Sequence, residues 1–149
     1  MRAVVQRVTR ARVTVGSDVT GAIDGGLLVL VGVGEHDDES HAATLASKVL
    51  GLRIFDDGEG KMNLDVGAAG GKVLAVSQFT LFGDVRKGKR PSFGAAMEPE
   101  RASALFDRFC AACRATGTTV EVGRFRAHMK VELVNDGPVT ILVDTEKTF

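Results

Sequence analysis

The sequence contains no tryptophan and no tyrosine. Any stacking on a nucleic-acid base therefore falls to one of its 8 phenylalanines or to arginine. Cysteine is scarce: Cys110 and Cys113 are the only two, and they do not resemble the disulfide framework of a small secreted domain. There is no net charge, with 19 basic residues against 19 acidic ones and a pI near 6.8. A protein that coats nucleic acid generally would show a large basic excess, so that class is excluded, while a local basic face is not. Long apolar runs are missing too. The longest, Leu27 to Val33, is far short of the roughly 20 residues that a membrane-spanning helix needs. Arg2, Arg7, Arg10 and Arg12 are interleaved with valines, which breaks the apolar core of a signal peptide. A cytoplasmic protein with no membrane partner is the expectation.

What is present is ordinary for a folded globule. The 149 residues are 44% apolar and 26% charged, with 3 prolines and no evident linker, so one domain over residues 1–149 is expected. Strands are predicted at Ala3–Val8, Ala11–Val15, Val19–Ile23, Leu27–Val33, Lys72–Phe79, Thr118–Val122, Phe125–Leu133 and Val139–Asp144. Helices are predicted at Asp37–Leu50 and Pro99–Thr116, the second with Pro99 at its first position and Gly117 just past its end. Phe55–Gly60 reads as a polar loop or hairpin and Leu81–Ala96 as an ordered glycine-rich loop. Strands cluster at both ends and do not alternate regularly with helices, which disfavours a doubly wound parallel sheet. The fold class is α+β: a curved antiparallel or mixed sheet, or barrel-like core, with two flanking helices.

Several motifs have a bland reading that suffices. Gly32-Val33-Gly34 follows a strand, but Asp37 stands where a dinucleotide fingerprint needs its third glycine, and Glu35 to Glu39 would repel a pyrophosphate. Cys110 and Cys113 form C-x-x-C near the end of a helix, where the dipole disfavours a thiolate, so they read as small core residues. His36, His41 and His128 form no linked pattern with a nucleophile.

Other segments carry more chemistry. Arg86, Lys87, Lys89 and Arg90 place four cations in five residues, apart from the acidic clusters at Glu35–Glu39 and Asp56–Glu59. Such segregation lets a neutral protein hold a phosphate backbone locally. Arg126, His128 and Lys130 lie on the polar side of an alternating segment whose other side is Phe125, Ala127, Met129, Val131 and Leu133. Ser77-Gln78-Phe79-Thr80 ends an apolar strand beside a loop, a common place for chemistry. Thr80 is a possible nucleophile, although no neighbour in sequence supplies a base to activate it. Gly137-Pro138 sits at a tight connection after Asn135-Asp136.

Taken together, MRAVVQRV at the start, SQFTLFGDVRKGKRPSF in the centre and NDGPVTILVDT near the end resemble the D-aminoacyl-tRNA deacylase family, in order and spacing, across nearly the whole chain. The resemblance implies a homodimer that hydrolyses the ester joining a D-amino acid to the 3′ end of tRNA. It also implies removal of glycine mischarged on tRNA(Ala), with no metal and no other cofactor. By the same resemblance, a cis Gly137-Pro138 segment reaches into the partner's site as a chiral filter. Ser77, Gln78, Phe79 and Thr80 line the ester and adenosine. Arg7 steadies the Gly-Pro loop, and Phe125 and Met129 lie near the pocket. From their charge, not from the resemblance, Arg86, Lys87, Lys89 and Arg90 are the expected tRNA contacts. Arg126 and His128 depart from the family's small or acidic residues, and their alternation implies changed RNA-facing charge rather than a changed pocket. Two other classes stand beside this reading: a non-catalytic nucleic-acid-binding dimer, with DNA as one target, and a redox protein using Cys110 and Cys113.

Overall fold

A computed structural model describes residues 1–149. In chain order the elements are β1 (Arg2–Val15), β2 (Asp18–Ile23), β3 (Gly26–Gly32), α1 (Glu39–Leu50), β4 (Phe55–Asp56), β5 (Met62–Leu64), β6 (Lys72–Ser77), a 3-10 turn (Phe79–Phe82), α2 (Pro99–Arg114), β7 (Val120–Val122) and β8 (Lys130–Asp144). The sheet is built around β1. Its first half, Arg2–Val8, pairs antiparallel with β3, and Ala11–Val15 pairs antiparallel with β2. Its other edge carries β8 along nearly the whole length. The two strands predicted at Ala3–Val8 and Ala11–Val15 are therefore one long strand that changes partner midway.

The remaining pairings of this sheet are parallel. β6 lies beside β3 and β7 beside β6, joined through α1 and α2 as crossovers. Pairing of both kinds makes the sheet mixed and strongly curved. It closes nearly into a barrel where β2 returns to β7. A side chain at Gly21 would put its Cβ 2.4 Å from the Val122 carbonyl oxygen, so only glycine allows this approach.

Both helices begin on side-chain caps. The Asp38 carboxylate accepts from the N–H groups of Ser40 and His41, and the His41 ring reaches back to the Asp38 N–H. This is a capping box with histidine in the place usually held by Glu or Gln. Glu98 caps α2, and Pro99 opens it. Ala42, Leu45, Ala46 and Val49 of α1 and Leu105, Phe106, Phe109 and Cys113 of α2 cover one face of the sheet. Leu27, Val29 and Val31 point into that core, while Leu28 points into a smaller one with Val8, Val13, Leu74 and Val76. β3 is apolar throughout because both of its faces are covered. Phe109 is fully buried, and its truncation to alanine is expected to cost about 3–5 kcal/mol.

Two predicted boundaries shift for local reasons. The strand predicted at Phe125–Leu133 starts only at Lys130, because the Ala127 N–H donates to the Arg124 carbonyl and closes a turn. Arg126 occupies that turn at φ 62°, the left-handed position where glycine is the usual residue. The strand predicted from Val139 is the second part of a continuous β8. The FDDGEG stretch forms the β4–β5 hairpin, its turn held by Asp57 accepting from Glu59, Lys61 and Asn63.

Candidate functional site

β6 ends as the Gln78 N–H donates to the Val31 carbonyl at 2.7 Å, and the chain then tightens into the 3-10 turn. The first N–H groups of such a turn have no carbonyl behind them to bond. The N–H groups of Phe79 and Thr80 accordingly donate to nothing within the chain. Gln78 Nε2 donates to Thr80 Oγ1 at 2.8 Å, and no carboxylate or imidazole is bonded to that hydroxyl. Arg2 holds the far side of the turn. Its Nη1 donates to the Leu81 carbonyl at 3.1 Å, and its guanidinium lies 4.5 Å from the centre of the Phe82 ring.

Ser77, Gln78, Phe79 and Thr80 open onto a cavity of about 900 Å³. That is near the upper end of small-molecule sites, which span about 300–1,000 Å³. Phe125 and Met129 line it too, and so do Arg126 and His128. The expectation that Arg126 and His128 leave the pocket unchanged is thus only half met: both are exposed, yet both border the cavity. No aspartate or glutamate lines it.

Arg7 and the Gly-Pro segment form a second locus. Asn135 pairs with Val8 and Thr140 with Gln6, so four residues, Asp136 to Val139, bulge out of β8 opposite Arg7 alone. Asn135 ties the base of this loop, donating from Nδ2 to the carbonyls of Arg7 (3.0 Å) and Val139 (2.9 Å). Arg7 donates from Nη1 to the Ile54 carbonyl at 2.8 Å and from Nε to the Asp136 carbonyl at 3.2 Å. The Gly137–Pro138 peptide bond is cis, and both residues are exposed. Neither lines the 900 Å³ cavity of its own chain. Arg7 and Asp136 instead border a separate cavity of about 570 Å³ with Asp24 and Lys72. One chain therefore joins Arg7 to the Gly-Pro loop and Ser77–Thr80 to Phe125 and Met129, but does not bring the two groups together.

The basic residues sit on an arm closed by paired hydrogen bonds between Asp84 and Ser92. Lys87, Lys89 and Arg90 are exposed and make no ion pair. Arg86 instead grips Asp84, and that hydrogen bond holds the Asp84 carboxyl down at about 2. Cys110 and Cys113 are buried in the core, and burial pushes their thiols up to about 11 and about 12, the opposite of a redox pair. Asp37, His41 and Glu146 bring metal-ligand atoms within 4.8 Å of one another. Each is engaged already: Asp37 by the Met1 amino group and the Gly34 N–H, His41 by Asp38 and Glu146. The Asp37 bond also explains why Gly32-Val33-Gly34 is a structural turn. No helix is long and apolar enough to cross a membrane.

Arg2 and Phe93 were not foreseen. Phe93 packs edge-on against Phe79 with ring centres 5.0 Å apart, and lines the same cavity. Its signal was the RPSF stretch beside the cations, a lone aromatic in a polar loop. Arg2 lies within a strand and left no comparable trace.

Comparison with known proteins places this geometry. A family model described as D-Tyr-tRNA(Tyr) deacylase matches residues 4–144. A D-aminoacyl-tRNA deacylase of Symbiobacterium thermophilum is 63% identical over 149 residues, covering 100% of this chain and 99% of that protein. A solved structure titled c-Myc DNA Unwinding Element Binding Protein superposes with a TM-score of 0.92 at 41% identity, over 97% of this chain and 99% of that one. Another, titled as a probable eukaryotic D-amino acid tRNA deacylase, shares the fold with a TM-score of 0.81 at 18% identity, over 95% and 97% of the two chains.

Proposed function

This chain belongs to the D-Tyr-tRNA(Tyr) deacylase family, and from that membership we infer that it hydrolyses the ester joining a D-amino acid to the 3′ end of tRNA. The observation that supports the chemistry most directly is the pair of unbonded N–H groups at Phe79 and Thr80, two residues that line a cavity free of carboxylates. An aminoacyl ester is already activated. Its site need only place a water and hold the oxyanion that forms at the carbonyl. The two N–H groups serve as that oxyanion hole, and Ser77 and Gln78 help to seat the ester. The terminal ribose 2′-hydroxyl orients the attacking water. As the tetrahedral intermediate collapses, the 3′ oxygen leaves with a proton and the amino acid is released. Thr80 is not the nucleophile in this scheme, since its hydroxyl meets only Gln78 and no base.

Selectivity for hand is a problem of rejection. L- and D-amino acids carry the same groups, and a welcoming pocket separates substrates differing by one methylene by only about 1–3 kcal/mol. Rigid backbone carbonyls pressed on the α-carbon exclude one hand whatever the side chain, by clash and by unpaired polar groups. The carbonyls of Gly137 and Pro138, at the tip of the loop that Arg7 and Asn135 hold by its Asp136 and Val139 carbonyls, are such a group. It does not reach its own cavity, so it acts in the site of a second copy, and the enzyme is a homodimer. Leu142, 59% exposed and cross-strand from Val4, offers apolar surface for that contact. Glycine has no side chain to reject, so glycyl-tRNA(Ala) is a second substrate. Lys87, Lys89 and Arg90 contact the tRNA backbone, with Arg86 beside them. The reaction calls for no metal or other cofactor.

The test is release of D-tyrosine from D-tyrosyl-tRNA by the purified protein. Multiple turnover supports hydrolysis. Tight RNA binding with the ester intact would instead favour the non-catalytic nucleic-acid-binding class.

A further inference from the structure

We propose that the rim of the 900 Å³ cavity is a second nucleotide subsite for a single-stranded 3′ end, with Phe93 stacking the base before the terminal one and Arg126 holding the connecting phosphate. It rests on the RNA substrate assigned above.

The first observation is the aromatic pair. Phe79 and Phe93 remain 56% and 36% exposed at the cavity although apolar rings gain by burial. Their rings meet at 70°, edge to face, so the two do not cover each other as stacked rings would. Phe93 is seated there by Gly83: a Cβ on Gly83 would come within 3.1 Å of the Phe93 ring. With tryptophan and tyrosine absent, an exposed phenylalanine is the stacking surface that this chain can offer. Stacking of a base on such a ring tolerates any sequence, because every base has a π-face.

The second observation is Arg126. Arg126 holds a left-handed backbone at φ 62°, which is strained for a residue that is not glycine, and such residues gather at ligand sites. Arg126 turns the chain at the cavity edge, is exposed, and has no ion-pair partner; nearby Arg124 is paired with Asp18. His128 lines the same edge, and the lining holds no acid to compete. A polyanion fits this rim by charge. A terminal nucleoside seated with its ester at Ser77–Thr80 must send its 5′ phosphate out past the rim. From there the strand runs toward the unpaired cations Lys87, Lys89 and Arg90 on the arm that Phe93 roots.

The experiment uses two uncharged-end RNA hairpins, one with a short single-stranded 3′ end and one blunt, titrated against the full chain. The parent protein is expected to bind the tailed hairpin at least about tenfold tighter than the blunt one. Arg126→Gly is expected to erase most of that preference. It should also lower the slope of log affinity against log salt by about one phosphate contact. Glycine accepts φ 62° freely, so its melting midpoint should hold or rise, which separates the loss from misfolding. Arg126→Lys should restore the salt slope, and Phe93→Ala should lose the preference without changing that slope. Equal binding of the two hairpins by the parent, or an unchanged slope in Arg126→Gly, overturns the subsite. Because the readout is binding of RNA that carries no ester, a failure of hydrolysis would count against the enzyme assignment and not against the rim.

Discussion

Gln78 donates a hydrogen bond of 2.8 Å from its side-chain amide to the hydroxyl of Thr80, and that hydroxyl has no other partner. An amide cannot take a proton from it, so Thr80 is held without being activated. Thr80→Ala is expected to fold and to retain kcat within about tenfold of the parent, which is about 1.4 kcal/mol of barrier. Single-turnover kinetics checks this. A loss of several thousandfold with RNA binding intact would make Thr80 the nucleophile.

Gly137 has no room for a side chain. A Cβ there would lie 2.7 Å from Val139 Cγ2 and 3.1 Å from Arg7 Nη2, at a φ of 124°. Gly137→Ala is expected to displace the loop, at a folding cost of about 1–3 kcal/mol. Deacylation of D-tyrosyl-tRNA should fall far more than the melting midpoint suggests. A variant with parental rates would show that the loop is not part of the site.

Arg7 joins that loop to the body of the protein through the carbonyls of Ile54 and Asp136. Arg7→Ala removes charged donors from both, and each such bond is worth about 1.5–3 kcal/mol. Lower stability is expected, together with a higher rate on L-tyrosyl-tRNA relative to the D form, read from paired deacylation assays. An unchanged D-to-L ratio would deny Arg7 its role in the filter.

His41 makes stability depend on pH. Burial alone would lower its pKa, but hydrogen bonds to Asp38 and Glu146, with the Asp37 charge nearby, raise it above 6.5. A raised histidine binds its proton more tightly when folded. The stabilisation is therefore complete below 6.5 and is lost as pH climbs through the raised value. His41→Gln offers the Asp38 N–H an acceptor, which the protonated ring does not, and it does not titrate. Between about pH 5 and pH 8 the parent's melting midpoint should fall relative to that variant. Parallel curves would contradict this.

The two thiols should be inert. Cys110 and Cys113 are buried and held in the thiol form, so neither should react with iodoacetamide until the chain unfolds. Mass spectrometry of native and denatured samples decides this, and alkylation of the native protein would reopen the redox reading.

Periodicity and composition carried much of the fold. The apolar stripes of α1 and α2, and a β3 buried on both faces, follow from local pattern alone. Local pattern failed where partner exchange or a turn decided the outcome. β1 appeared as two strands because its change of partner between Val8 and Ala11 lies in the sheet and not in the residues. Phe125–Met129 alternates like a strand, and its burial alternates too, but the Arg124–Ala127 hydrogen bond bends it into the cavity wall. At the site, SQFT and Gly-Pro were visible as motifs. The bulge opposite Arg7 and the Phe79–Phe93 contact depend on residues far apart in sequence and needed the structure.

The proposed enzyme hydrolyses an ester and rejects one hand of amino acid through backbone. The most direct measurement is the rate of release from matched D-tyrosyl-tRNA, L-tyrosyl-tRNA and glycyl-tRNA(Ala) by one preparation of the protein. Release of the D and glycyl esters is expected, with the L ester at least about a hundredfold slower, about 2.8 kcal/mol of discrimination. Release of the L ester within tenfold of the D ester would keep the hydrolase and contradict the filter.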